Sequence, residues 1–158
     1  EAEVKARWEA IKEQERSRKN QNGTLDDVPL ALPSLSRAQK LQKRAAGVGF
    51  DWPDLDGVFA KVDEEIGELK EAVQALDAEA VEDEMGDIFL AMVNLARHLG
   101  VDAEAALRKA NSRFEGRFRL MEVAAVEEGS RLQEENLEQL ERRWQTAKRQ
   151  LSTSSPSS

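Results

Sequence analysis

The sequence predicts an all-α fold, an antiparallel bundle of about four core helices that is expected to pair with further copies. Three observations carry this. There are only thirteen prolines and glycines in 158 residues. In the long stretches free of both, apolar residues recur every three or four positions, and no run alternates polar with apolar as a half-buried strand does. No internal repeat is present, so a bundle is the natural architecture. The length suits one domain, which could bury roughly 70% of its unfolded surface.

The first element is a charged arm from Glu1 to about Lys19, with Val4, Trp8 and Ile11 at helical spacing and a stop signal at Asn20-Gln21-Asn22-Gly23. Pro29 and Pro33 should hold the chain extended to about Ser34. Residues 1–33 thus form an arm and linker, 34–151 a helical domain, and 152–158 a polar tail expected to be disordered. A helix from about Leu35 to Ala46 ends near Gly47 and Gly49, and Asp51-Trp52-Pro53-Asp54 turns the chain. The next helix, about Leu55 to Leu76, presents Leu55, Val58, Phe59, Val62, Ile66, Leu69, Val73 and Leu76 as one stripe. Another spans about Ala78 to Leu99 and stops at Gly100. Asp102 is placed to cap a helix reaching past Met121, and the last runs from about Glu134 to Leu151.

Composition removes several function classes. Thirty-one acids against 23 bases give a net charge of −8, which disfavours a surface built to grip a nucleic-acid polymer. With no cysteine and one histidine, there is no zinc ribbon, thiol nucleophile or multi-histidine centre, so any metal must sit on oxygen. The longest apolar stretch, Ile88 to Val93, is far below the roughly 20 residues that cross a bilayer. No secretory leader is read, and a cytoplasmic location without membrane attachment is expected. The chain starts at Glu1, so a fragment of a longer protein and a processed product both stay open.

Between Asp63 and Asp87 stand eleven acids and one base, Lys70. At about 100° per residue Glu64 points away from the apolar stripe, while Glu65 lies at its margin with Glu68 and Lys61 on the same flank. The following helix is apolar around nearly its whole circumference, and its polar flank carries Glu84, Asp87, Asn94 and His98. Four carboxylates at the edge of a packed interior need neutralising, and an all-oxygen set suits Mg²⁺, with Mn²⁺ as the alternative. A solvated acidic face fits the same residues.

Glu64-Glu65-Ile66-Gly67-Glu68 followed by Glu84-Met85-Gly86-Asp87 resembles the ExxE plus ExxD pattern of the all-α nucleoside triphosphate pyrophosphohydrolases, and more narrowly the C-terminal type of MazG domain. The likeness extends through Trp8 to Lys12, Arg37 to Arg44, Val48 to Trp52, Lys61 to Glu65, Val93 to Gly100, Lys109 to Asn111 and Trp144 to Gln150. It implies that Glu65, Glu68, Glu84 and Asp87 form the catalytic metal site and hold Mg²⁺, and that a nucleoside triphosphate is cut between its α- and β-phosphates. Lys12, Lys61, Arg113, Arg117 and Lys148 would contact phosphates, Asn111 and Trp144 the substrate, and the assembly would be a homodimer or dimer of dimers. At Arg113 the family is expected to carry lysine.

Blander readings accompany these. Trp8, Trp52 and Trp144 suit packing anchors, Phe114 and Phe118 read as core, and His98 as a hydrogen-bonded structural histidine. A di-iron bundle needs a Glu-x-x-His pair on two helices, which one histidine cannot supply. A non-catalytic acidic oligomerisation domain is the competing function, and metal-dependent pyrophosphate release separates it from the enzyme.

Overall fold

The computed structural model describes residues 2–18 and 23–153, which form six α-helices and a short 3₁₀ turn with no strand among them. The helices are α1 Ala2–Arg18, α2 Ser34–Gly47, α3 Leu55–Gln74, α4 Ala78–His98, α5 Ala103–Glu127 and α6 Leu137–Thr153. Among the described residues, no helix is long and apolar enough to cross a membrane. The chain divides into two compact units, residues 1–104 and 105–158, parted within the first turn of α5.

In the first unit α3 and α4 fold back on one another through a three-residue connection, and α2 packs on α4. Aspartates start both long helices: Asp54 accepts the Gly57 N–H at 3.0 Å and Asp77 the Ala80 N–H at 3.1 Å, each satisfying an orphan donor of the first turn. The α3 seam differs from the expected stripe. Val58, Glu65 and Ala72 are its buried residues, so the face toward α4 is centred on a carboxylate, with Glu65 in the seam instead of at its margin. Phe59, Ile66 and Val73 are left exposed on the neighbouring face. Leu76 ends the stripe prediction as well: it leaves the helix with φ +54° and is 91% exposed, because the chain must turn there to set Asp77 as the next cap.

From Pro29 to Ser34 the chain is not extended throughout, since Leu30 and Ala31 form a turn, and the segment before Pro29 is folded as well. Gly23 to Val28 forms successive turns, with the Gly23 N–H donating to Asp26 Oδ2 at 2.8 Å, Val28 buried, and Asp27 bonded to Arg44 of α2 at 2.8 Å. The Asn20-Gln21-Asn22 part of the stop signal lies outside the described residues. Gln39 of α2 holds the chain before α5, donating to Val101 O at 3.0 Å and accepting the Ala103 N–H at 2.9 Å.

In the second unit, α6 starts three residues later than expected. Asn136 and Gln139 exchange bonds, each side chain accepting the other's backbone N–H at 2.9 Å, a capping box that fixes Leu137 as the first helical residue. Arg143 clasps Glu135 through bonds of 2.7 to 2.9 Å and reaches Glu128 at 2.8 Å. Phe114 and Phe118, expected as core, are 60% and 42% exposed, since within this unit α6 covers only part of that face. The helix continues to Thr153, and the rest of the serine tail, 154–158, lies outside the described residues.

Candidate metal centre

The α3–α4 seam brings carboxylates together because their spacing matches the helical repeat. Glu65 projects from α3 into the seam, and Glu84 and Asp87, one turn apart on α4, meet it. One oxygen from each of the three lies within 4.8 Å of the others. Opposite ligands of an octahedral Mg²⁺, each at about 2.1 Å, stand about 4.2 Å apart, so small side-chain movements would close the triplet on such an ion.

The charges are only partly answered by the protein. Lys61, one turn before Glu65, donates to Glu65 Oε1 at 2.7 Å and to Glu64 Oε2 at 3.2 Å. That hydrogen bond holds the Glu65 carboxyl below its ordinary range against the opposing cost of burial, and the same pair of glutamates raises the lysine. Glu65 Oε2 and Glu84 Oε2 are buried with no hydrogen-bond partner. Removal from water first, then the charge of Glu68 and the nearness of Glu65, push the Glu84 carboxyl up to about 7. Two orphaned oxygens in an acidic seam are a set of hard donors, and a divalent cation fits them better than solvent-exposed charge would. Glu68 is exposed at the rim, outside the triplet but close enough to act on Glu84. Glu64 faces outward, as helix geometry predicts.

A cavity of about 740 Å³ opens from this centre, lined by Lys61, Glu65 and Asp87 and by Phe50, Trp52, Asn94 and Arg97. The loop before α3 is tied to α4 there. Asp51 Oδ1 accepts from Arg97, from the Trp52 N–H at 2.8 Å, and pairs with His98 Nε2 at 2.8 Å. Burial pushes the Asp51 carboxyl up, but the Arg97, His98 and Trp52 hydrogen bonds outweigh it and leave the group below its ordinary range. His98 is thus a hydrogen-bonded structural histidine. Arg97 also holds Asn94 Oδ1 through Nε at 3.1 Å and Nη2 at 3.0 Å. This latch escapes sequence reasoning, because Asp51 reads as a turn residue and Arg97 as a surface cation; only Asn94 and His98 are flagged by their place on the polar flank.

Of the cations expected at phosphates, Lys61 stands in this cavity. Lys12 lies exposed on α1 and lines a separate hollow with Lys40 and Lys43. The remaining candidates belong to the second unit. Asn111 and Arg113 are exposed on α5, and Arg117 sits 5.4 Å from the ring centre of Trp144, which Phe114 also meets at 5.4 Å. Lys148 is exposed one turn beyond Trp144.

Comparison with known proteins places the acid-bearing helices in a family. Residues 56–120 match the MazG nucleotide pyrophosphohydrolase domain. The chain is 54% identical over 151 residues to the nucleoside triphosphate pyrophosphohydrolase of Escherichia coli K12, a match covering 94% of this chain and 57% of that protein. It is 44% identical over 141 residues to the nucleoside triphosphate pyrophosphohydrolase/pyrophosphatase MazG of Thermotoga maritima, covering 89% of this chain and 54% of that one. A Bacillus subtilis protein, YabN, is 42% identical over 149 residues and 30% of its length. The chain therefore spans little more than half the length of the first two relatives. Over the two helices that carry Glu65, Glu68, Glu84 and Asp87, and on into α5, it is a member of the MazG nucleotide pyrophosphohydrolase family.

Proposed function

We propose that this chain is a Mg²⁺-dependent nucleoside triphosphate pyrophosphohydrolase that cuts between the α- and β-phosphates, releasing a nucleoside monophosphate and pyrophosphate. The observation that carries the reading is the carboxylate triplet of Glu65, Glu84 and Asp87, two of whose buried oxygens have no partner. Glu65, Glu68, Glu84 and Asp87 would hold the ion, which when bound offsets substrate charge and polarises phosphoryl oxygens. Lys61 cancels part of the local negative charge and is available to a phosphate from the cavity wall. A carboxylate of the cluster takes the proton of the attacking water. Lys12, Arg113, Arg117 and Lys148 are assigned to the triphosphate, and Asn111 and Trp144 to the nucleotide, by their family positions.

The same reading includes self-association, as a homodimer or dimer of dimers, in the cytoplasm. Phe59, Ile66 and Val73 on α3 and Phe89 and Met92 on α4 are left open to solvent on one chain, and apolar surface of that kind suits a contact between copies.

The test is a panel of ribo- and deoxyribonucleoside triphosphates with Mg²⁺, scoring pyrophosphate against orthophosphate. Pyrophosphate is expected, and none in EDTA. Orthophosphate alone, or no metal-dependent release, overturns the proposal.

A further inference from the structure

The loop between α2 and α3 carries two aromatic side chains that the metal centre does not use. α2 ends with Gly49 at φ +90° and the Phe50 N–H bonded back to Ala45 O at 3.1 Å, a left-handed helix stop that throws Phe50 outward. Phe50 is 82% exposed, an unusual position for a phenylalanine unless something covers it. Trp52 is better held. Its indole lies over Gly57 of α3, so closely that a Cβ there would come within 2.8 Å of Cε3. The Asp51 bonds to Arg97 and His98 tie the loop to α4. Trp52 is nevertheless 43% exposed, and both rings line the cavity that also holds Lys61, Glu65 and Asp87.

We propose that Phe50 and Trp52 form the nucleobase-binding wall of this cavity, with Asn94 supplying a hydrogen-bond donor to the base. The inference rests on the reading of the acidic centre as a site for a metal-bound triphosphate. A nucleotide has a charged part and a flat apolar part, and the lining of this cavity offers a partner to each: Lys61, Glu65 and Asp87 to the first, Phe50 and Trp52 to the second, with Asp87 and Asn94 about two turns apart along α4. Its volume, about 740 Å³, lies within the range of about 300–1,000 Å³ for small-molecule sites. An aromatic ring fixed by Gly57 and open to the cavity stacks on a base at little entropic cost. Asn94 Oδ1 is occupied by Arg97, so the amide N–H group is what Asn94 has left to offer. Asp51, Arg97 and His98 act through the loop, as positioning residues.

The test uses the full chain with Mg²⁺ and two probes: an α,β-methylene nucleoside triphosphate, and inorganic tripolyphosphate, which has the charged end and no base. Affinities are measured by calorimetry. Trp52→Ala is expected to weaken the nucleotide analogue by about 10-fold or more, Phe50→Ala and Asn94→Ala by less, and none of them to change tripolyphosphate. Trp52→Phe, which keeps a stacking ring, should retain most of the nucleotide affinity and guards against a misfolded alanine variant. Asp51→Asn should weaken the nucleotide and spare tripolyphosphate. Unchanged nucleotide affinity in Trp52→Ala and Phe50→Ala, or an equal loss of both probes in every variant, overturns the inference while leaving the metal centre standing. Failure of the wild-type chain to bind either probe overturns the triphosphate reading itself.

Discussion

Two glutamates of this chain are buried to the same degree, and their surroundings differ in kind. Glu135 in the second unit has a side chain 5% exposed and receives a forked set of bonds from Arg143, which also takes Glu128. Both oxygens are answered, and hydrogen bonding to the guanidinium holds the carboxyl below its ordinary range. Glu65 in the first unit is 6% exposed and answered on one oxygen by Lys61, while the other is orphaned toward Glu84 and Asp87. The first arrangement is closed and needs nothing more. The second is a seam of like charges that folding alone leaves unpaid, and that a cation would complete.

The contrast is broken most severely at the open cluster. Glu68→Gln or Asp87→Asn should lower pyrophosphate release from nucleoside triphosphates by at least about 100-fold, with far-ultraviolet circular dichroism unchanged; turnover within a few fold of wild type in both would defeat the site assignment. Arg143→Ala acts at the closed pair. By stranding Glu135 and Glu128 it should lower Tm by about 5 °C or more, an effect that scanning calorimetry would read, while Mg²⁺ affinity stays as in wild type. A smaller change of opposite sign is expected from Glu84→Gln without metal. Removing one charge from a crowded seam should raise Tm by a few degrees even as Mg²⁺-dependent turnover is lost, and a fall in Tm would show that the seam is not strained by its charges.

The smallest effect is on pH dependence. Glu84 titrates at about 7 in the folded, metal-free protein and near 4.5 when unfolded, so the folded state keeps a proton that the unfolded state gives up. Its contribution to stability is whole below about 4.5 and is lost as pH rises through 7. Asp51, Glu65 and Glu135 are shifted the other way, so their contributions disappear only in acid. Between about pH 5 and 7, the metal-free Tm should lose this group's contribution as pH rises, levelling off above 7, and that loss should be absent in Glu84→Gln.

Much of this was legible in the residues. Helix existence and order followed from apolar spacing, whereas the caps at Asp54 and Asp77 were seen only in the fold. The outward face of Glu64 and the structural role of His98 came from helical phase. What escaped was set by partners outside the local window. The α3 stripe is wider than one neighbour covers, so its phase could not tell which edge packs on α4, and Glu65 was placed at a margin when it stands in the middle. Leu76 belongs to the pattern by spacing but is spent on the turn. The Asn136 and Gln139 capping box was present in the sequence, and a search for reciprocal caps would have set the start of α6. The Asp51 latch joins positions 46 and 47 residues apart, which periodicity cannot report. Residues assigned to substrate through family position, from Lys12 to Lys148, carried no local signal beyond charge and helical step.

Whether the orphaned oxygens of the α3–α4 seam are metal ligands decides the chemistry of this chain. Mn²⁺ takes the same oxygen donors as Mg²⁺ and is visible by electron paramagnetic resonance, so titrating it into the full chain near neutral pH reads the site without any turnover. Saturable binding that Mg²⁺ displaces, and that is lost in Asp87→Asn and in Glu84→Gln, is the predicted result. Binding of equal strength in wild type and both variants, or none in wild type, would contradict the account.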